Sequence, residues 1–163
     1  MKRIYLIAPI LLSICIISCG VYTFSSSTIG SIKSVSIPLI EDRSTEGVLG
    51  TLLTDKLSDA FVKDNTLQVT PEQKADGIIR GAIVSYKREA YTYSQQEIVS
   101  EYICTITANI QFAERKSGKV VWEQGGMSSW GTYNSDSELE DDGKNRALDK
   151  LVEDILNRTV KGW

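Results

Sequence analysis

Residues 98–112, IVSEYICTITANIQF, decide the fold because apolar and polar side chains alternate along almost the whole stretch. A strict two-residue period is typical of a β-strand with one face on a core and the other in water. The apolar face carries Tyr102, Cys104, Ile106, Ala108, Ile110 and Phe112, and the polar face carries Thr105, Thr107, Asn109 and Gln111.

The neighbouring segments predict further strands on either side of this one. Residues 78–93 are rich in β-branched and aromatic side chains, and a polar loop at 94–97 joins them to it. Residues 116–119, KSGK, form a turn signal ahead of Val120, Val121 and Trp122. Gly125 and Gly126 then mark a bulge or a strand end. We therefore expect a three-stranded antiparallel meander.

The preceding segment predicts a strand, a helix and a second strand. Residues 33–40 alternate, and Pro38 implies an edge position or the strand's end. A polar turn at 41–47 precedes an apolar stripe with helical spacing at 48–61, with Ser44 or Thr45 as the expected N-cap. Residues 66–70 are the second strand, so the order favours a right-handed βαβ crossover.

The C-terminal segment predicts a second amphipathic helix. Ser135 with Glu138 is typical of a capping box, and Gly143 either splits the helix or delays its start. Because each helix has one apolar stripe, both are expected on the same side of the sheet. The predicted fold class is α+β, an α/β sandwich with an approximately four-stranded mixed sheet, two helices on one face and a polar opposite face. The stripe of the second helix is Leu148, Leu151, Val152, Ile155, Leu156 and Val160.

The N-terminus is typical of a bacterial lipoprotein signal. Lys2 and Arg3 precede an apolar run that is too short to span a bilayer, and Ile16, Ile17 and Ser18 before Cys19 match a lipobox. We expect a signal peptide at 1–18, an acylated Cys19 with a short tether at 19–32, and one domain at 33–163. The alternative is an ordinary secretory signal that is cleaved elsewhere.

Composition excludes several classes of function. The chain has no His, which removes the commonest general base and metal ligand. Carboxylate pairs such as Glu97 with Glu101 fall in a loop, where solvated charge is the ordinary explanation. From Cys19 onward the formal charge is −5, which does not attract nucleic acid. We expect no enzyme, no cofactor and no metal, and Cys104 as a small buried hydrophobe.

Basic side chains at strand ends and turns are the candidate contacts for a ligand. Lys87 and Arg88 lie near Tyr86, Tyr91 and Tyr93, and Lys116 and Lys119 follow in the next turn. Such side chains hold phosphates through charge-assisted hydrogen bonds, and flanking aromatics meet sugars or acyl chains. Ordinary solvated strand ends are the alternative.

Several stretches together resemble the lipopolysaccharide-assembly lipoprotein family. They are the lipobox with residues 19–24 (CGVYTF), VSIPL at 35–39 with EDRS at 41–44, LTDKL at 53–57, ADGIIRGAI at 75–83, and SGKVVWE at 117–123. The similarity covers nearly all of the chain after the signal peptide. It implies a two-helix, four-strand sandwich anchored in the inner leaflet of the outer membrane.

The resemblance also implies a partner and a role. Members plug the lumen of a large LptD-like outer-membrane β-barrel, help it fold, and help deliver lipopolysaccharide to the cell surface. A polar sheet face suits such a wet interior. Lys87, Arg88, Lys116 and Lys119 are then the expected lipopolysaccharide contacts. Residues 36–43 also resemble the opening strand of lipoproteins that activate peptidoglycan synthases, although the short tether argues against that alternative.

Overall fold

The computed structural model describes residues 32–161, which form six strands and two long helices. The expected signal peptide and Cys19 lie outside these residues. The strands are β1 (Ser34–Ser36), β2 (Glu41–Asp42), β3 (Gln68–Val69), β4 (Gly77–Tyr93), β5 (Val99–Glu114) and β6 (Val120–Asn134), the helices are α1 (Leu49–Asp64) and α2 (Glu140–Lys161), and a 3₁₀ turn spans Glu72–Lys74.

The strands form one mixed sheet in the order β3-β1-β4-β5-β6, with β2 paired to β4. The pairs that involve β1, β2 or β3 are parallel, and β4, β5 and β6 form the expected antiparallel meander. The α+β class is confirmed, whereas the expected count of four strands is corrected to six. The predicted strand at 33–40 is interrupted around Pro38, which has no backbone N–H to donate, and pairing resumes at Glu41 within the predicted turn.

Strand β6 is far longer than the three apolar residues that predicted it. It continues to Asn134 through an irregularity, since Met127 pairs with Ala108 while Gln124 pairs with Ile110. Gly125 and Gly126 together lie opposite Asn109, so they mark a bulge of one extra residue and not a strand end. The N–H of Gly126 donates to Asn109 Oδ1 at 2.8 Å.

Both helices pack on the apolar face of the sheet, as expected. The hydrophobic core is one cluster, in which α1 packs on β2, β3 and β4, α2 packs on β5 and β6, and the two helices contact each other. Burying a side chain of this size contributes about 1.5–3 kcal/mol, so this layer carries most of the stability. Its largest members include Leu53, Leu57 and Phe61 of α1, Leu148 and Leu151 of α2, and Ile79, Ile83, Ile106, Ile110 and Phe112 of the sheet.

The start of α1 is capped by a residue outside the helical segment. The prediction of Ser44 or Thr45 as N-cap is wrong, because Val48 occupies that position without a side-chain hydrogen bond. Asp42 Oδ2 instead accepts the N–H groups of Leu49 at 2.7 Å and Gly50 at 3.3 Å. The hydroxyl of Ser44 donates to Asp42 Oδ1, so it holds the capping carboxylate in place.

The start of α2 also differs from its prediction. Ser135 Oγ donates to the Val99 and Ser100 carbonyls, so the predicted capping box does not form. The helix begins at Glu140, and Gly143 lies inside it without splitting it. A Cβ on Gly131 of β6 would lie 2.3 Å from the carbonyl oxygen of Gly143, so the two glycines mark a close approach of helix to sheet.

Candidate functional site

The predicted basic residues lie at two separate places on the sheet. Lys87 and Arg88 lie in the second half of β4 opposite Thr105 and Cys104, whereas Lys116 and Lys119 lie in the turn between β5 and β6. About nine residues of β5 separate the two places, which corresponds to roughly 30 Å. The structure therefore does not bring the four cations into one site.

Lys87 lies on the face of the sheet that no helix covers. Thr105 of β5 is its partner in the register, and Trp130 of β6 is the next residue across. Two strand spacings separate Lys87 from Trp130, which is about 10 Å. Trp130 is 48% exposed, and the ammonium of Lys150 lies 3.6 Å from the centre of its ring. An exposed cation and an exposed aromatic ring thus share one row of the polar face.

Trp130 was missed by the sequence analysis. The signal that points to it is the alternation of Ser128, Trp130 and Thr132 with the buried residues Met127, Ser129 and Gly131. That alternation was hidden because the bulge at Gly125 and Gly126 shifts the period by one residue.

Arg88 is also exposed, but its guanidinium is engaged by contacts within the molecule. Its guanidinium donates to Glu140 Oε2 at 3.0 Å and lies 4.2 Å from the centre of the Tyr102 ring. Tyr102 in turn stacks on Tyr133, with ring centres 5.4 Å apart. An external anion would therefore have to compete with Glu140 for this arginine.

Glu140 is the centre of a wider cluster, the Glu140 cluster, made of Tyr86, Arg88, Cys104, Glu140 and Lys144. The Tyr86 hydroxyl donates to Glu140 Oε1 at 2.7 Å, and Lys144 Nζ lies 3.1 Å from the same oxygen. The hydrogen bond from Tyr86 lowers the pKa of Glu140, assisted by Lys144 and Arg88 against the opposing effect of burial. The Glu140 carboxylate thus contacts Tyr86, Arg88 and Lys144. Because Tyr86 and Arg88 belong to β4, these contacts link the first turn of α2 to that strand.

Cys104 belongs to this cluster and behaves as the sequence predicts. Its side chain is fully buried, with Sγ 3.2 Å from the Tyr86 hydroxyl. Burial raises the pKa of the Cys104 thiol, which disfavours the reactive thiolate. This cysteine is a packing residue.

The far end of the β4–β5 hairpin extends past the helical layer. Consecutive residues from Lys87 to Tyr91 are all exposed, so neither face of this segment is covered. Tyr91, Tyr93 and Ile98 are 53%, 63% and 67% exposed. Tyr86, in contrast, is drawn into the Glu140 cluster, so it does not join the exposed aromatics expected beside Lys87.

The opposite end of the sheet carries a groove of about 430 Å³ on the polar face beside the β5–β6 turn. Arg80 and Arg115 line it together with Glu72 and Glu114. Arg80 pairs with Glu72 at 2.6 Å, and Arg115 Nε donates to the Ala75 carbonyl at 2.7 Å. Arg80 was missed as a candidate because the sequence places it simply as one outward residue of a strand.

The described residues thus present exposed cations, exposed aromatic rings and an uncovered polar sheet face. Among residues 32–161, no three acidic or cysteine side chains are arranged to hold a metal ion. Over the same span, no helix has the length and apolar character needed to cross a membrane.

A sequence model of the lipopolysaccharide-assembly family (LptE) matches residues 32–159. This match covers more than half of the chain, so the protein belongs to the lipopolysaccharide-assembly (LptE) family. The expected family is confirmed. No curated protein is similar enough in sequence to match this chain.

Solved structures show the same fold at low sequence identity. A predicted lipoprotein of Caulobacter crescentus is 17% identical, with a TM-score of 0.56 over 83% of this chain and 95% of that one. A Xanthomonas campestris protein is 11% identical, with a TM-score of 0.58 over 80% and 85% of the two chains. A minor lipoprotein of Acinetobacter baumannii is 12% identical, with a TM-score of 0.52 over 80% and 94%.

Proposed function

We propose that this protein is an outer-membrane lipoprotein, acylated at Cys19, that plugs a lipopolysaccharide-translocating β-barrel. In this role it assists the assembly of the barrel and helps deliver lipopolysaccharide to the cell surface. It acts by binding and not by catalysis. Membership of the lipopolysaccharide-assembly family over residues 32–159 is the observation that carries the proposal.

The polar sheet face that no helix covers supports a location inside the hydrated lumen of a β-barrel. Thr107 and Asn109 of β5 face away from the helices, and hydrogen bonds such as Gln111 Nε2 to Glu123 Oε2 run along the uncovered face. The interior of an outer-membrane barrel is polar and hydrated, so this face needs no apolar cover there. A free-standing apolar face of the same size would instead favour aggregation.

Exposed cations supply the proposed contacts with lipopolysaccharide. Phosphate groups bind well to Lys and Arg, and sugar rings pack on aromatic side chains. Lys87 with Trp130 on the uncovered face offers both chemistries, and Lys116 and Lys119 offer charge at the β5–β6 turn. Arg88 binds a ligand only if its ion pair with Glu140 is first broken.

Affinity purification of the acylated protein from membranes tests the proposed partner. We expect a large outer-membrane β-barrel to co-purify in equal amount. Recovery of a peptidoglycan synthase without a barrel would overturn the proposal and favour the alternative resemblance noted for residues 36–43.

Lys87→Glu tests the lipopolysaccharide contact separately from the partner. We expect binding of purified lipopolysaccharide to fall several-fold, because a favourable charge becomes a repulsive one. Lys63→Glu is the matched control, since Lys63 is also an exposed lysine but lies on α1. Equal binding by both variants and the parent would remove Lys87 from the contact while leaving the barrel partner to the purification experiment.

A further inference from the structure

The groove beside the β5–β6 turn continues into a second depression on the uncovered face of the sheet. The second depression has a volume of about 250 Å³, and Arg80 and Gln111 line both. Arg115 lines the first depression, and Arg43 lines the second. We call the two depressions together the arginine groove. Three guanidinium groups from three separate parts of the chain therefore lie along one feature of the polar face.

Arg115 differs from the other two arginines in its partners. Its Nε donates to the Ala75 carbonyl and its backbone N–H to the Asp76 carbonyl, each at 2.7 Å, so the residue is held in a half-buried position. Within residues 32–161, no acidic side chain forms an ion pair with its guanidinium. The N–H donors on its two terminal nitrogens thus have no protein acceptor in that part of the chain. Arg115 is a fixed cation that offers a planar fork to an anion.

Arg43 and Arg80 have carboxylate partners, but these ion pairs are exposed. Arg43 pairs with Glu41 and Arg80 with Glu72, each at 2.6 Å, and at least 44% of each of the four side chains is accessible to solvent. Exposed ion pairs contribute little to stability, because water screens the attraction. Either arginine can therefore turn toward an incoming anion with little loss.

The charge of the arginine groove favours a single carboxylate over a polyanion. Besides the three arginines, Glu72, Glu114 and Glu123 line it, so the formal charge of the groove is zero. These carboxylates repel a ligand that carries several phosphate groups. One carboxylate, in contrast, binds the Arg115 fork through two parallel hydrogen bonds and meets little net repulsion.

The arginine groove is separate from the surfaces proposed to contact lipopolysaccharide. Arg80 precedes Lys87 by seven residues along β4, which corresponds to about 24 Å. At the β5–β6 turn, Gly118 lines the groove, whereas Lys116 and Lys119 do not. An occupant of the groove and a lipopolysaccharide molecule can therefore be bound at the same time.

We propose that the arginine groove receives the carboxylate of an aspartate or glutamate side chain on the inner wall of the barrel, with Arg115 as its main ligand. This inference rests on the proposed location of the domain inside a barrel lumen. Barrel strands direct alternate side chains into the lumen, and these side chains are polar. With the groove facing the wall, an inward carboxylate reaches the Arg115 fork, and the contact fixes the rotation of the domain within the lumen.

Competition between the parent and a variant tests the groove. The two proteins carry different affinity tags and are produced in the same cells, and the barrel recovered through each tag is measured relative to the lipoprotein. Gln73→Glu adds a negative charge at the exposed rim of the groove and keeps the shape of the side chain. We expect the variant to recover about five-fold less barrel than the parent, because the two carboxylates repel each other. Gln73→Lys should recover at least as much barrel as the parent.

Two further variants separate the groove from general effects of charge and folding. Gln95→Glu is the matched control, since it makes the same change at an exposed glutamine in the β4–β5 loop, and it should compete equally with the parent. Arg115→Lys keeps the charge but loses the planar fork, so we expect reduced recovery of the barrel. Because Arg115→Lys also loses the bond to the Ala75 carbonyl, the exposed Gln73 variants decide the outcome if it unfolds.

The failures of the inference and of the proposed function give different results. Equal recovery of the barrel by Gln73→Glu and the parent overturns the inference and leaves the barrel partner in place. Recovery of no barrel through either tag overturns the proposed function and the inference with it. If Gln73→Glu recovers the barrel normally but binds purified lipopolysaccharide less tightly, the groove belongs to lipopolysaccharide and the inference is wrong.

Discussion

Gly131→Ala tests the closest contact between the helical layer and the sheet. A Cβ at this position would lie 2.3 Å from the Gly143 carbonyl oxygen and 2.8 Å from the Ala147 nitrogen. Both atoms belong to the backbone of α2, so no side-chain rotation relieves the overlap. The helix has to move outward by about 1 Å to restore an ordinary contact.

The change in the free energy of unfolding is estimated from the contacts that this movement of the helix disturbs. Overpacking of a well-packed site costs about 1–3 kcal/mol, and here it also strains the hydrogen bond from Ser129 Oγ to the Ala147 carbonyl, at 2.8 Å. Replacing glycine by alanine also stabilises the folded state by about 0.4–1 kcal/mol, because alanine lowers the conformational entropy of the unfolded chain. The net expectation is a loss of about 2 kcal/mol, or a decrease in Tm of about 6 °C for a domain of this size.

Urea unfolding of the purified protein, followed by circular dichroism, measures the effect. Gly125→Ala is the matched control, because it lies on the same strand and its nearest heavy atom, Asn109 Oδ1, is at an ordinary 3.7 Å. We expect the control to change the free energy of unfolding by less than about 0.5 kcal/mol. If Gly131→Ala were equally neutral, the inferred close packing of α2 on β6 would be wrong.

Three further predictions concern capping, strand attachment and the core. Burial opposes the ionisation of Asp42, but hydrogen bonds from Ser44, Gly50 and Leu49 outweigh it and lower its pKa. This stabilisation is present above the unfolded pKa of about 4 and is lost as pH falls through the lower folded pKa. Urea unfolding at several pH values should therefore show that the free energy of unfolding decreases more steeply with acid in the parent than in Asp42→Asn. Parallel pH dependences of the two proteins would contradict the capping role of Asp42. Asp76→Ala removes the acceptor for two N–H groups and one hydroxyl at the start of β1. We expect the free energy of unfolding to decrease by about 1–2 kcal/mol and the amide of Ser34 to exchange faster. Unchanged exchange at Ser34 would refute the contact. Phe112→Ala empties a fully buried site and should cost about 3–5 kcal/mol in a thermal melt, with a loss below about 1 kcal/mol inconsistent with its burial.

The candidate site was only partly predictable because its members act across long separations in sequence. Lys87 and Lys116 are visible as exposed cations near strand ends. In contrast, the engagement of Arg88 depends on Glu140, which lies 52 residues away in sequence and is brought close by the packing of α2 on the sheet. The row of Lys87, Thr105 and Trp130 depends on register across three strands, and a bulge in β6 sets that register. Local composition carries no information about either relation.

The amino-acid sequence by itself determined the elements with a strong local period: the central strand, the two amphipathic helices, the meander and the one-sided apolar face. Each follows from the spacing of apolar side chains within a short window. That spacing places the apolar side chains on one face of the element, and burial of this face is favourable wherever the element packs. Strand β2, the capping of α1 by Asp42 and the ion pair of Arg88 with Glu140 were decided only by the tertiary structure. These features are stabilised by hydrogen bonds between distant segments, so they exist only after the helices have packed on the sheet.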